Sequence, residues 1–547
     1  MRPEEIVARF RALEAERRNL DTTWEVISHY VMPNRGRFFE KESDYEESVN
    51  WTHRELFDST AVVSARLLAS SIHSNLTTAS GRWFGLRFRT EEMNKNHEAK
   101  VWLEECERIL YYAINESNFN LEIAECYLDL VSYGTAILLH ESDGEGGFVF
   151  KATMAREIYF EEGWDGKLTG IYRYKKYTAL QLLEKYPDTI PDTIREQAEG
   201  AATANVPHEV IHCIRLRPEN KDADVSDDLA PEARPYEERY ILAKTAQELT
   251  KEKSGYYEMP AYVMRWGKAA GTKFGDSPAI NVISDIRTLN KLVELVLKSA
   301  EKTIDPPTLT QQRGIIGDLN LSAGSVTVVR DINGIRPYES GARFDVSELQ
   351  REHLIETIQN SFHTRQLVLK DSPAMTATEV NARYEFIQRV LGPVAGRIRA
   401  DGLDPLIKRG FWTLFREGRL PEMPAVVAES IDELDIEYMG PLARVQKMND
   451  VQSTERLLAN LGQIASVAPE VIDTIDWDKL IRMYSERIGV PSEILKTEAD
   501  VKKLREARAQ AEQQQQQMEQ AQALAGAMKD GSQADLNVVQ AGAASGQ

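Results

Sequence analysis

Residues 275–307 read GDSPAINVISDIRTLNKLVELVLKSAEKTIDPP. Gly275-Asp276-Ser277-Pro278 opens a helix here. Ser277 can cap the free backbone N–H groups, and Pro278 fits the first helical position, which has no N–H partner to lose. Asp305-Pro306-Pro307 cannot continue it. At about 1.5 Å per residue, Ser277 to Thr303 is a rod of roughly 40 Å. Two apolar seams follow it at alternating spacings of three and four, Ile286/Leu289/Val293/Val296/Ala300 and Ile283/Ile286/Asn290/Val293/Leu297, so the rod packs on neighbours from two sides. Asp285, Lys291, Glu294, Lys298 and Glu301 are left for a polar strip.

A partner helix opens at Asp345, with Glu348 three residues on as a capping box. It carries Val346, Leu349, Leu354/Ile355, Ile358 and Phe362. Thr376-Ala377-Thr378-Glu379 repeats the box as a third helix start. Between the two long helices, residues 304–344 set glycines and Pro337 around the runs Ile315-Ile316 and Val326-Thr327-Val328-Val329. That is a β-containing insertion too short to own a core, and it needs neighbouring copies of itself to be stable. The loop 367–375 is oddly apolar for a connector, with Leu367, Val368, Leu369 and Met375 beside Arg365, Lys370 and Asp371. Either it is buried or it touches something.

Upstream, residues 4–31 place Ile6, Phe10, Leu13, Leu20, Trp24 and Ile27 at helical spacing, a helix or helix pair that stops at Pro33. A polar loop spans Asn34 to Asn50, and a helix from Arg54 runs through Leu56, Val62, Leu68 and Ile72. Trp83 to Arg89 alternates as a strand, with Trp83, Phe84 and Phe88 read as core. A helix pair over 97–133 leads into a buried strand at 133–140.

Short strands are expected at 148–153, 157–161, 168–176, 210–217, 237–243 and 261–266, antiparallel by the shortness of their connections. A helix over 177–186 and an Ala-rich polar connector over 187–206 interrupt them. After Thr376 the chain is helical with breaks at Gly392-Pro393 and Gly402, returns as a strand at 434–439, and is helical from 442 to about 510 with breaks near Pro469 and Pro491. Residues 511–547 begin as a Gln-rich helix and dissolve into Gly, Ala, Ser and Gln. The class is α+β, predominantly helical.

The chain has 547 residues, enough for two to four domains or one elongated subunit, and a net charge of −20. That charge argues against a protein that coats nucleic acid, because neutralising phosphates needs a basic surface. It leaves room for one that DNA passes through without sticking. Cys106, Cys126 and Cys213 are too few for a disulfide framework or zinc knuckle and fit a reducing cytoplasm. No apolar run approaches membrane-spanning length and no signal-peptide core is present.

Motifs for chemistry are scarce. There is no Walker loop, and Gly267 to Lys273 has the wrong spacing for one and reads as a loop. No H-E-x-x-H, paired C-x-x-C or G-x-S-x-G occurs. His353 and His363 stand too far apart on one helix to share a metal. With 86 acidic residues, chance carboxylate clusters are expected. No catalytic residue, metal site or cofactor is assigned. Two rival readings stay open, a metal-dependent phosphodiesterase of the virion and an internal scaffold or core protein.

The order of several segments is similar to a known family. Phe57-Asp58-Ser59-Thr60, Trp83-Phe84, Ser117-Asn118-Phe119, Tyr133-Gly134-Thr135, Gly275-Asp276-Ser277-Pro278, Asp305-Pro306-Pro307, Met375-Thr376-Ala377-Thr378-Glu379-Val380 and Tyr438-Met439-Gly440-Pro441-Leu442-Ala443 resemble, in that series, the portal or head-to-tail connector proteins of short-tailed bacteriophages. The resemblance runs to about residue 500.

It implies a non-enzymatic ring, usually of twelve subunits, around a central channel at one capsid vertex. Double-stranded DNA enters and leaves through it, and the terminase large subunit, a tail adaptor, and major capsid and scaffolding proteins are the partners. It divides the chain into N-terminal helices and an α+β wing (1–276), a first stem helix (277–303), a clip (304–343), a second stem helix (344–366) and a tunnel loop (367–376). A returning part of the wing (377–440), a helical crown (441–510) and a tail that is a barrel or disordered (511–547) follow. Lys298, Lys302 and Arg351, with Arg365 and Lys370, become channel-facing candidates, each with an intersubunit salt bridge as its alternative. Arg313, Arg330, Asp331 and Arg336 become docking candidates on the clip.

Overall fold

The computed structural model describes residues 1–35, 55–79, 81–142, 147–221, 223, 229–251, 253–304, 308–310, 335–337, 344–367, 391–428, 430–431, 434–439, 451, 453–461, 475–488, 494–496 and 500–518. The chain divides into two compact units. The first comprises Met1–Gly85, Cys106–Glu422 and Ile436–Ala443, and the second Leu86–Glu105, Met423–Asp435 and Arg444–Gln547.

In the first unit, Pro3–Tyr30 is one continuous helix. Two sheets lie beside it, both antiparallel throughout. The larger runs β4 (Ile158–Glu162), β5 (Leu168–Thr178), β6 (Pro207–Leu216), β7 (Tyr236–Leu242) and β8 (Ser254–Tyr256) in that order. The smaller is ordered β3 (Phe148–Thr153), β2 (Thr135–Ser142), β9 (Ala261–Arg265).

The two-residue period of a strand sorts the core. Tyr159, Tyr172, Ile211 and Ile241 turn one way, under Ile6, Phe10 and Leu13 of the first helix. Their neighbours Ile158, Phe160 and Ile171 turn the other way, onto Ile137, Leu139 and Val263 of the smaller sheet. Each layer is therefore dry on the side that meets another element, the arrangement that apolar burial rewards at about 25 cal/mol per Å².

Residues 56–59 interrupt the helix expected from Arg54, which runs from Thr60 to Leu76, and helix continues through Gly392-Pro393 over 391–398 where a break was expected. Two elements around the sheets also differ from the sequence reading. Within the expected connector 187–206, Asp192–Glu199 is a helix, whose Ile194 and Ala198 pack with Leu182, Val210 and Leu242. Two apolar residues four apart are one helical turn, too short a pattern to stand out in an Ala-rich stretch. β8 was not expected because three residues around Gly255 carry no alternation, and it forms by register against Tyr236 and Glu238.

Trp83, Phe84 and Phe88 are all buried, as a core reading requires. Leu434–Tyr438 is the strand expected near 434–439, and it pairs with Phe84–Phe88 in a small two-stranded sheet. The break expected at Gly402 is a π-turn over Arg399–Leu403, after which Asp404–Arg416 continues as α-helix. A Cβ at Gly402 would sit 2.5 Å from the Met264 side chain, so the turn closes on β9 only with glycine there.

The second unit contains helices over 453–461, Trp477–Ile488 and 500–518. Arg505 grips Asp478 through two contacts of 2.6 and 2.7 Å, and Tyr484 donates to Glu455 at 2.7 Å. Asn94 braces the Phe88 backbone with paired bonds of 2.8 and 2.7 Å. The breaks expected near Pro469 and Pro491, the polar loop after Arg35 and the end of the tail lie outside the described residues. No helix among the described residues is long and apolar enough to cross a membrane.

Candidate functional site: the paired long helices

Ser277 begins the long-helix region as its sequence predicts, with its hydroxyl accepting the Ile280 N–H at 3.0 Å and donating to the Ser132 carbonyl at 2.7 Å. The rod is not continuous. Pro278–Asn281 is a short first turn, Val282 leaves helical geometry, and Ile283–Ile304 is the long helix. Its 22 residues span about 33 Å rather than 40. The Pro278 carbonyl accepts from the Ser361 hydroxyl at 3.2 Å, so the first turn is also held by the partner helix.

Phe344–Ser361 forms that partner and packs against Ile283–Ile304. Ile286, Leu289, Ile358 and Phe362 are buried. Asn290, which falls inside an apolar seam, is buried too. Its Oδ1 accepts from the Phe57 and Asp58 N–H groups at 2.8 and 3.2 Å, and its Nδ2 donates to the Glu55 carbonyl at 3.1 Å. The side chain thus meets backbone groups of an extended segment that has no ladder of its own.

Further from this anchor the seam opens. Leu295 and Leu297 are each 52% exposed, Leu349 70% and Ile304 84%. At about 100° per residue, Leu295 and Leu297 stand roughly 160° apart around their helix, so apolar side chains face water on two flanks. Leu349 was expected in the packed face of the second helix and lies outside it. The two helices share a core near Ile286 and Ile358, and their outer turns carry these exposed apolar side chains.

Beyond the helix ends the insertion starts as an antiparallel ladder, β10 (Thr308–Thr310) with β11 (Ile335–Pro337), in register Thr308↔Pro337, Leu309↔Arg336 and Thr310↔Ile335. This places Arg336 on β11. Arg313, Arg330, Asp331 and the runs at 315–316 and 326–329 lie outside the described residues, as do Val368, Leu369, Lys370, Asp371, Met375 and the helix start at 376–379. Leu367 ends a helical turn, Thr364–Leu367, instead of opening a loop.

The described cations mostly have local partners. Lys298 contacts Glu294 at 2.5 Å and Lys291 meets the same carboxylate at 2.8 Å, which together hold Glu294 below its ordinary pKa. Arg351 pairs with Glu348 at 2.7 Å, and Arg365 with Glu356. Lys302 is exposed and makes no ion pair among the described residues. Exposed pairs of this kind are screened by solvent and hold their side chains weakly. Among the described residues, no three His, Cys, Asp or Glu side chains gather as a metal site.

The family model for the bacteriophage head to tail connecting protein matches residues 3–495. This chain belongs to that family. Among connector relatives, the chain is 26% identical over 518 residues to a probable portal protein of Bordetella phage BPP-1, covering 92% of this chain and 90% of the relative. It is 24% identical over 521 residues to a portal protein of Salmonella phage epsilon15, covering 93% and 91%. A portal protein of Enterobacteria phage T3 is 21% identical over 479 residues, covering 84% and 82%. Among solved structures, a chain from the neck of an empty GTA particle overlaps 76% of this connector and 91% of its own length, at 11% identity and a TM-score of 0.36. That likeness is too loose to carry an argument.

Proposed function

We propose that this connector protein is a portal subunit. Copies close into a ring, usually of twelve, at one capsid vertex of the virion, and double-stranded DNA passes through its centre during packaging and ejection. Ile283–Ile304 and Phe344–Ser361 form the stem, and the insertion between them the clip where the terminase large subunit and then a tail adaptor dock, with Arg313, Arg330, Asp331 and Arg336 as contact candidates. Residues 367–376 form the tunnel loop, the antiparallel sheets the wing, and the helices after residue 441 the crown, facing major capsid and scaffolding proteins.

The observation that carries this reading is the exposure of Leu295, Leu297, Ile304 and Leu349 along a helix pair within a chain of the connector family. Each such side chain gains about 1.5–3 kcal/mol when fully buried, so lateral association of copies is favoured. One heterologous interface repeated until it closes makes a ring. The acid excess of the chain supports a conduit, since few phosphate contacts mean little counterion release and little grip on passing DNA.

The function is tested by assembling capsids with and without the protein. Omission should leave shells that take up no DNA. Normal packaging in its absence would contradict the reading. The phosphodiesterase rival requires divalent-metal-dependent DNA cleavage that disappears when carboxylates are substituted, an assay the same purified protein allows.

A further inference from the structure

β5 changes character halfway along. Ile171 lies in the core between the two sheets, and counting on in twos the same face carries Arg173, Lys175 and Tyr177. On the smaller sheet Lys151 stands opposite Leu139, another residue of that core. From Tyr177 the face is apolar again, where Tyr177, Tyr186 and Tyr240 pack with Leu182, Val210 and Leu242. A belt of cations thus lies between two apolar clusters.

These cations have few partners. Arg173 is 7% exposed, its Nε stands 3.8 Å from Glu157, and neither Nε nor Nη2 has a hydrogen-bond partner. Both nitrogens are enclosed, so Arg173 acts on its surroundings by its charge. Lys175 is half-buried, and Lys185, at the end of the helix Ala179–Lys185, is exposed. Their ammonium groups both lie against the Tyr177 ring, 5.3 and 5.7 Å from its centre, and that of Lys185 sits 4.2 Å over Tyr240. Among the described residues, neither ammonium meets a hydrogen-bond acceptor or a carboxylate at ion-pair distance.

The carboxylates nearby leave the charge unbalanced. Glu238 is already bonded to His212, Ser254 and Tyr256 at 2.9, 2.8 and 3.0 Å. Lys185 is attracted by Glu238 and Glu141 and repelled by Arg173. Burial of Lys175, with repulsion from Arg173, Lys151 and Lys185 against the single attraction of Glu157, pushes its pKa down to about 8. In a chain of net charge −20, two lysines here keep donors without acceptors. Leftover donors of partly buried groups call for water or an ion, and an oxyanion supplies both the acceptors and the missing negative charge.

We propose that Lys175 and Lys185 bind a phosphate-class oxyanion at this belt, beside Lys151 and over the buried charge of Arg173. The site lies within one subunit, so it stands or falls apart from the ring reading. Binding draws Lys175 fully into its ammonium form, so the site takes up a proton as it fills at pH 8. Phosphate of this chemistry comes as the free ion or as the backbone of passing DNA.

Calorimetric titration of the full chain with sulfate, a phosphate-class dianion that does not itself titrate near neutral pH, tests the site. One sulfate per subunit is expected at pH 8, with proton uptake read from two buffers of different ionisation heat. Far less uptake is expected at pH 6.5, where Lys175 is charged before binding. Lys175→Met should weaken binding roughly tenfold or more and abolish the uptake at an undiminished melting temperature, because it removes an uncompensated charge. Lys185→Gln should weaken binding and leave the uptake in place. No sulfate binding to the unmutated chain, binding without proton uptake at pH 8, or equal binding by Lys175→Met would each overturn the proposal. Competition then names the source. Displacement of sulfate by inorganic phosphate but not by a short DNA duplex assigns the free ion, and displacement by the duplex assigns the backbone. Displacement by neither would overturn the phosphate class.

Discussion

Arg17 sits 2% exposed in the first unit, donating to the carbonyls of Ala155, Ile158 and Arg156 at 2.6, 2.7 and 2.9 Å, pairing with Asp21 at 2.7 Å and lying 3.7 Å over the Tyr159 ring. Arg17→Ala strands three acceptors and a buried carboxylate, so a loss of about 3–5 kcal/mol is expected in urea unfolding. Arg17→Lys should recover only part of it, because an ammonium cannot reproduce the planar fork. His140 is fully enclosed, its Nδ1 2.7 Å from the Tyr262 hydroxyl and its ring stacked on Phe150. Burial, aided by the Arg409 charge, pushes its pKa well below the ordinary value of 6.5. The folded protein therefore keeps it neutral while the unfolded chain takes up a proton below about pH 6.5, so stability falls as pH drops through that value. Denaturation midpoints at pH 7.5 and 5.5 should differ by less in His140→Phe than in the unmutated chain. At this scale the sequence spoke through periodicity alone: it marked Ile6, Phe10 and Trp24 as core and set Asn290 in an apolar seam, where it is buried, and passed over Arg17 because a buried polar residue leaves no pattern in the chain around it.

The long helices show where element-level reading holds and where tertiary contact overrides it. Ser277 and Pro278 fixed the start, and the proline pair after Asp305 bounded the end. Nothing local announced the break at Val282, which follows from the first turn being tied to Ser132 and Ser361. Asn290→Ala should cost about 1–3 kcal/mol by leaving backbone groups at 55–58 unpaired, measurable as a lowered unfolding midpoint. Leu295→Glu with Leu349→Glu should leave the isolated subunit within about 0.5 kcal/mol of the original, since both side chains already face water. The same pair should weaken assembly, read by sedimentation. The cations chosen from sequence as channel candidates carried an intersubunit salt bridge as their alternative, whereas Lys298, Arg351 and Arg365 each meet a carboxylate of their own chain. Deleting residues 367–376 should still give capsids while impairing DNA retention, and normal retention would remove the loop from the account.

For the whole molecule, the net charge of −20 and the exposed apolar flanks of the helix pair are the features on which the proposed contact and passage rest. The family was legible in the order of motifs along the chain, and the family model over residues 3–495 bears that reading out. What local spacing does not carry is what covers Leu295 and Leu349, which in the proposed assembly is a neighbouring copy. The central claim is the closed ring, and a projection image of the purified protein along its axis tests it most directly. The account predicts a closed ring of identical subunits, usually twelve, around an open centre. A field of monomers, or open filaments without closure, would contradict it.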